Sequence, residues 1–184
     1  MNYLMLVNKN NKLEKNYVPK NLEVVKNRKQ DKPDIILLLE RKTHKCFKKM
    51  IKKAYKYGFD IICDSGYRSY SYQLELYKEQ IKAGKNINYL ALPGYSEHQT
   101  GLCVDVAAYQ NGIYVDQKEK LEKEYEWLYN NSSKYGFILR YPEEKESITG
   151  YPYEPWHFRF VGKNVATKIM KEKITLEEYL EKCD

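Results

Sequence analysis

The sequence predicts an α+β fold, one domain over residues 1–184 with a small, mostly antiparallel sheet flanked by helices. Three observations predict it. First, Leu102, Val104 and Val106 alternate with Cys103 and Asp105, and Trp156, Phe158 and Phe160 alternate with His157 and Arg159. A period of two is that of a strand with one apolar face. Second, Phe47, Met50, Ile51 and Ala54 recur at i, i+3, i+4 and i+7 within the lysine-rich stretch 45–56, the stripe of an amphipathic helix. Third, strands and helices follow one another at irregular spacing, which favours α+β over a repeated βαβ unit. A chain of 184 residues, 42% hydrophobic, can bury a core, and no repeat or Gly/Ser/Pro-rich linker divides it.

The remaining elements are read in chain order. A polar N-terminal arm leads to a short apolar run, Ile35 to Leu39, and the lysine-rich helix then extends to Gly58. Asp60 to Asp64 is apolar and partly β-branched, a buried strand closed by Ser65-Gly66. Ser69 or Ser71 caps a helix reaching about Ala83, where Gly84 ends it. Pro93-Gly94 marks a turn. Lys118 to Tyr135 reads as a helix with Leu121, Tyr125 and Leu128 inward; Gly136 stops it and Phe137 to Leu139 forms a strand. Residues 109–117 and 140–153 read as loops. Thr175-Leu176-Glu177-Glu178 has the pattern of a capping box opening a last helix.

The formal charge of +7 raises nucleic acid as a partner. Lys48, Lys49, Lys52 and Lys53, however, lie on the solvated side of one helix, and no recognition motif accompanies them, so neither nucleic acid nor membrane is expected. Four cysteines without a C-x-x-C pair fit a reducing compartment. The apolar run at the N-terminus is too short for a signal peptide or membrane span, which predicts a cytoplasmic protein.

Two of the three histidines fall in the densest motifs, SEHQTGLCVDV (Ser96 to Val106) and EPWHFRF (Glu154 to Phe160). Hydrolytic zinc takes three nitrogen or oxygen ligands and keeps a fourth position for water. His98, Asp105 and His157 supply such a set. Asp105 and His157 each stand on the face of their strand opposite the apolar residues, and Gly101 lets the chain bend between His98 and Asp105. Read singly, each histidine fits a hydrogen-bonded side chain and Asp105 a partner for a lysine; it is the set that points to Zn2+. Glu154, which Pro155 sets on the turn before the strand, is the candidate to accept the proton of an attacking water. Arg68, in Ser65-Gly66-Tyr67-Arg68-Ser69, suits a carboxylate clamp or an oxyanion; the alternative is a structural pair with Asp64 or Glu75.

Together these blocks resemble the D-alanyl-D-alanine metallopeptidases, grouped with the hedgehog and lysostaphin-type zinc peptidases. The pattern S-x-H-x(6)-D followed by E-x-W-H is complete in Ser96, His98, Asp105, Glu154, Trp156 and His157. The likeness is greatest to the VanXY-type D,D-dipeptidase/D,D-carboxypeptidases of vancomycin resistance and runs through nearly the whole chain. It implies that His98, Asp105 and His157 bind zinc, that Glu154 is the catalytic base, and that Arg68 stabilises the oxyanion. It also implies that Gln73 and Ser96 hold the substrate, the D-Ala-D-Ala dipeptide or the muramyl-pentapeptide precursor. An L,D-carboxypeptidase or wall endopeptidase of the same fold, and a zinc-containing binding module without turnover, are the competing readings. Two positions depart from the family. Cys103 stands where a small residue such as Ala is common, and is read as packing. Ser65 is acidic in some VanXY members, which bears on the balance between dipeptide and longer substrates.

Overall fold

A computed structural model describes residues 2–26 and 36–183; Ile35, the first residue of the expected apolar run, lies outside them. Strand β1 (Leu22–Val24) pairs antiparallel with β2 (Leu38–Glu40). Helix α1 (Arg41–Tyr55) follows without a loop, because the Glu40 carboxylate caps it by accepting from the amides of Lys42 and Thr43. Its buried stripe is Phe47, Met50, Ile51 and Ala54, as the spacing predicts. Strand β3 (Asp60–Ser65) leads to α2 (Tyr70–Lys82), which Ser69 caps. A single 3-10 turn (Glu97–Thr100) precedes β4 (Cys103–Gln110).

Strand β4 outruns the expected segment and continues into β5 (Ile113–Val115). The two join through Asn111-Gly112, both at positive φ, and Gln110 faces Ile113. This two-residue hairpin replaces the loop expected at 109–117, and its Asn-Gly pair is the sequence signal for it. The expected long helix after Lys118 is shorter, α3 (Glu122–Asn131), with a 3-10 turn on either side; Leu121, Tyr125 and Leu128 are buried as foreseen. Next come β6 (Phe137–Leu139), the short α4 (Glu146–Thr149) within the expected loop, β7 (His157–Phe160), α5 (Lys163–Glu172) and α6 (Leu176–Glu181). Thr175 and Glu178 form the predicted capping box.

The larger sheet runs β3-β4-β7-β6 with β5 also on β4, and each of its pairs is antiparallel. One face packs Val104, Val106, Phe158 and Phe160 with the α1 stripe into the main core. A second cluster, Ile138, Val161, Ala166, Ile169 and Leu176, lies under α5 and α6. The N-terminal segment is not a free arm, since Val7 and Asn8 are buried and Tyr3 stacks edge-on against Phe160. Trp156 falls in the turn before β7 rather than in the strand, and it lines the pocket described next. Among the described residues no helix is long and apolar enough to cross a membrane.

Candidate active site

The central register is that of β4 and β7. Asp105 lies directly opposite His157, Val104 opposite Phe158 and Cys103 opposite Arg159. With a period of two, the same pairing that sends the valine and phenylalanine to the core turns Asp105, His157, Cys103 and Arg159 to the other face. His98 arrives from the 3-10 turn. Ser96 caps that turn, its Oγ accepting from the His98 amide, and Gly101 closes it at φ 66°. A side chain at Gly101 would press on Leu22 and the Glu40 amide. The chain therefore reverses between His98 and Asp105, and both reach one place.

The ring nitrogens are already sorted. His98 Nδ1 lies 2.6 Å from the Gly66 carbonyl oxygen, which only accepts, so Nδ1 carries the hydrogen and Nε2 turns to Asp105 Oδ2 at 3.1 Å. His157 Nε2 faces Glu97 Oε2 at 3.4 Å, while Nδ1 lies 2.8 Å from Asp105 Oδ1. Each imidazole thus has its outer nitrogen tied to an oxygen and its inner nitrogen aimed at the same carboxylate, the arrangement found around histidine ligands of metals. Two donors on one tetrahedral zinc ion, with bonds of about 2.1 Å, stand about 3.4 Å apart. Spacings of 2.8 and 3.1 Å fit such an ion with little rearrangement. The donor set of two imidazoles and one carboxylate suits Zn2+ with an open position. The sulfur of Cys103 is also near: donor atoms of His98, Cys103 and His157 all lie within 4.8 Å of one another.

Charge reinforces the grouping. Burial and Arg68 push the His98 imidazole down, yet Asp105 and Cys103 outweigh them and hold it up at about 9. Asp105 is held well below the usual carboxylate range, its burial being overcome by the two imidazoles. Glu154 is 4% exposed, and burial raises its carboxyl to about 7 against the pull of His157. Its Oε2 lies 3.8 Å from His157 Nδ1. Arg68 lies 4.0 Å from Asp105 Oδ2 and 3.4 Å from Ser65 Oγ, and its buried Nε has no hydrogen-bond partner among the described residues.

Arg68, Ser96, His98, Asp105, Glu154 and His157 all line one small pocket of about 100 Å³. Tyr89, Trp156, Tyr141 and Tyr151 add aromatic walls, the Tyr89 and Trp156 rings lying 5.9 Å apart at a tilt of 48°. Gln73 is not in the lining. It is buried behind the loop, donating to the carbonyl of Ala91, which is in the lining, while its Oε1 has no partner. A larger groove of about 1000 Å³ lies beyond Tyr153 and Pro155; its described lining contains no histidine or arginine, whereas that of the small pocket contains both.

Sequence reasoning missed the support behind His157. Glu97 accepts from Arg140 Nε at 2.8 Å and Arg159 Nη1 at 2.6 Å as well as facing His157. Its carboxyl is held far below the usual range, burial being overcome by the two arginines. Arg140 also makes a two-pronged pair with Glu177 at 2.8 and 2.7 Å. Strand parity carries one available signal, since Arg159 shares the His157 face.

The chain is similar to known proteins over nearly its whole length. The family model described as "VanY: D-alanyl-D-alanine carboxypeptidase" matches residues 37–163. A putative carboxypeptidase of Bacillus subtilis, YodJ, is 39% identical over 98% of this chain and 68% of its own length. The bifunctional D-Ala-D-Ala dipeptidase and carboxypeptidase VanXYC of Enterococcus gallinarum is 35% identical over 97% and 94%. Among solved structures, the LD-carboxypeptidase LdcB superposes with a TM-score of 0.88 at 37% identity, over 98% of this chain and 86% of that one. A glutamate-to-alanine variant of the D,D-pentapeptidase VanY from a VanB-type resistance cassette, in complex with Zn(II), superposes at 0.80 with 34% identity over 97% and 98%.

Proposed function

Since the chain belongs to the VanY family of D-alanyl-D-alanine carboxypeptidases and is a peptidase, we propose that it is a zinc-dependent D,D-peptidase. It cleaves the terminal D-Ala-D-Ala bond of the free dipeptide or of a muramyl-pentapeptide precursor. The observation that carries this reading is the convergence of His98 Nε2 and His157 Nδ1 on the Asp105 carboxylate, with Glu154 3.8 Å from His157. VanXYC is named for both dipeptidase and carboxypeptidase activity on D-Ala-D-Ala.

His98, Asp105 and His157 would hold the ion, and zinc bound there would lower the pKa of water and polarise the scissile carbonyl. Glu154 takes a proton from the attacking water as its oxygen bonds to the carbonyl carbon, then gives that proton to the departing amine as the C–N bond breaks. A carboxyl held near neutrality by burial is suited to both transfers. The Arg68 guanidinium stabilises the negative charge developing on the carbonyl oxygen. Ser96 lies in the pocket wall for substrate contact, and Gln73 supports the wall at Ala91. A zinc-containing module without turnover has no use for a carboxylate buried beside the ligands, which favours the enzyme.

The test is release of D-alanine from D-Ala-D-Ala, D-Ala-D-Ser and the nucleotide-linked pentapeptide by the zinc-loaded protein. Activity in the native chain, and its loss in Glu154→Gln with zinc retained, is the expected outcome. Inactivity on all three substrates overturns the reading. The likeness to LdcB favours a second reading, an L,D-carboxypeptidase using the same residues. A tetrapeptide ending in an L,D bond, cleaved in preference to D-Ala-D-Ala, selects it. Removal of D-Ala-D-Ala termini deprives glycopeptide antibiotics of their target, so expression in a susceptible host is expected to raise the vancomycin concentration needed for inhibition. The cysteines Cys46, Cys63, Cys103 and Cys183 are all free, which supports a reducing, cytoplasmic setting.

A further inference from the structure

One buried reactive group beside the proposed zinc site has no part in the mechanism above. Cys103 is fully enclosed, on the same face of β4 as Asp105. Its sulfur interacts with both imidazoles, and sulfur and ring nitrogens lie within 4.8 Å of one another. We propose that Cys103 Sγ is a further protein donor to the metal, so that the ion is held by two imidazoles, one carboxylate and one thiolate and keeps a fifth position for water. This rests on the zinc reading of the same site.

Three features of the site carry the inference. The outer nitrogens of His98 and His157 are committed to Gly66 and Glu97, which leaves the inner nitrogen of each ring as the metal donor. Cys103 is buried and is not among the residues lining the pocket, so its ligation leaves the pocket side to water and substrate. With bonds of about 2.3 Å to sulfur and 2.1 Å to nitrogen, donors on a shared ion stand about 3.6 Å apart. The cluster therefore draws in by at most about 1.2 Å on binding. The thiol proton leaves to solvent as the metal–sulfur bond forms. A thiolate added to an imidazole–carboxylate set shifts preference toward softer ions. The chain is thus expected to hold cadmium over zinc more strongly than a site without sulfur does.

X-ray absorption at the zinc edge tests this on the intact zinc-loaded protein. The expected spectrum has one sulfur at about 2.3 Å beside a nitrogen/oxygen shell with imidazole outer scattering. In Cys103→Ala the sulfur disappears while the imidazole signature stays, and the cadmium-over-zinc affinity ratio falls at least about tenfold. A native spectrum with imidazole scattering and no sulfur overturns the proposal and leaves the zinc site standing. A native spectrum without imidazole scattering overturns the zinc reading itself, and this proposal with it. The native spectrum decides the matter even if Cys103→Ala fails to fold.

Discussion

At Glu154 a buried carboxylate lies 3.8 Å from the His157 ring in the wall of the small pocket. Removing its charge while keeping its shape isolates its role as proton carrier. Glu154→Gln is expected to lower kcat by about 10²–10⁴-fold with zinc affinity little changed, read by D-alanine release beside a chelator-competition titration. Glu97 acts one step further out, by fixing the ring of His157 from its Nε2 side. Glu97→Gln is expected to weaken zinc binding by about 10–100-fold, measured by the same titration. His98 gives a pH signature. Without metal its imidazole is raised from 6.5 to about 9. Between these values the folded state keeps a proton that the unfolded chain has lost. That contribution to stability is present in full below 6.5 and is lost as pH rises through about 9. The melting temperature of the metal-free protein is therefore expected to fall across this window, and zinc binding there to release protons to the buffer. A flat profile, with no proton release by calorimetry in two buffers, contradicts it.

The elements explain how much of the site was legible. Alternation in residues 102–106 and 156–160 identified which side chains share a face, and the β4–β7 register put Asp105 opposite His157. Pairing between distant strands is not written in either strand alone, so the contact itself had to come from the fold. Asn111-Gly112 is a readable hairpin signal inside the stretch 109–117 expected as a loop. Strand β1 and helix α5 were not read at all. The three residues of β1 are too short a run for any period to show, and it becomes a strand only by pairing with β2. Gly66 shows how backbone geometry reaches the chemistry. A Cβ there would collide with the Leu38 carbonyl oxygen, while its own carbonyl orients His98. Gly66→Ala is expected to cost about 1–3 kcal/mol in urea unfolding and to weaken zinc binding as well.

Across the whole molecule, the polar network behind the site joins distant parts of the chain. Arg140 links Glu97 beside the ligands to Glu177 in α6, and Arg159 links Glu97 to the carbonyls of Tyr3 and Met5. Asn8 donates to Glu177 and closes the circuit. Sequence patterns assign arginine and glutamate to the surface, because an unpaired buried charge is too costly. Only the fold reveals that these charges satisfy one another. Arg140→Met removes the two-pronged partner of Glu177 and one of the two guanidinium partners of Glu97, and is expected to destabilise the chain by about 3–5 kcal/mol, read by urea unfolding.

The central claim is that His98, Asp105 and His157 share one zinc ion beside Glu154. Diffraction from zinc-soaked crystals on either side of the zinc absorption edge tests it most directly. The account predicts a single anomalous peak about 2.0–2.2 Å from His98 Nε2, His157 Nδ1 and an Asp105 oxygen. A peak bound to other residues, or one that His98 and His157 do not share, would contradict it.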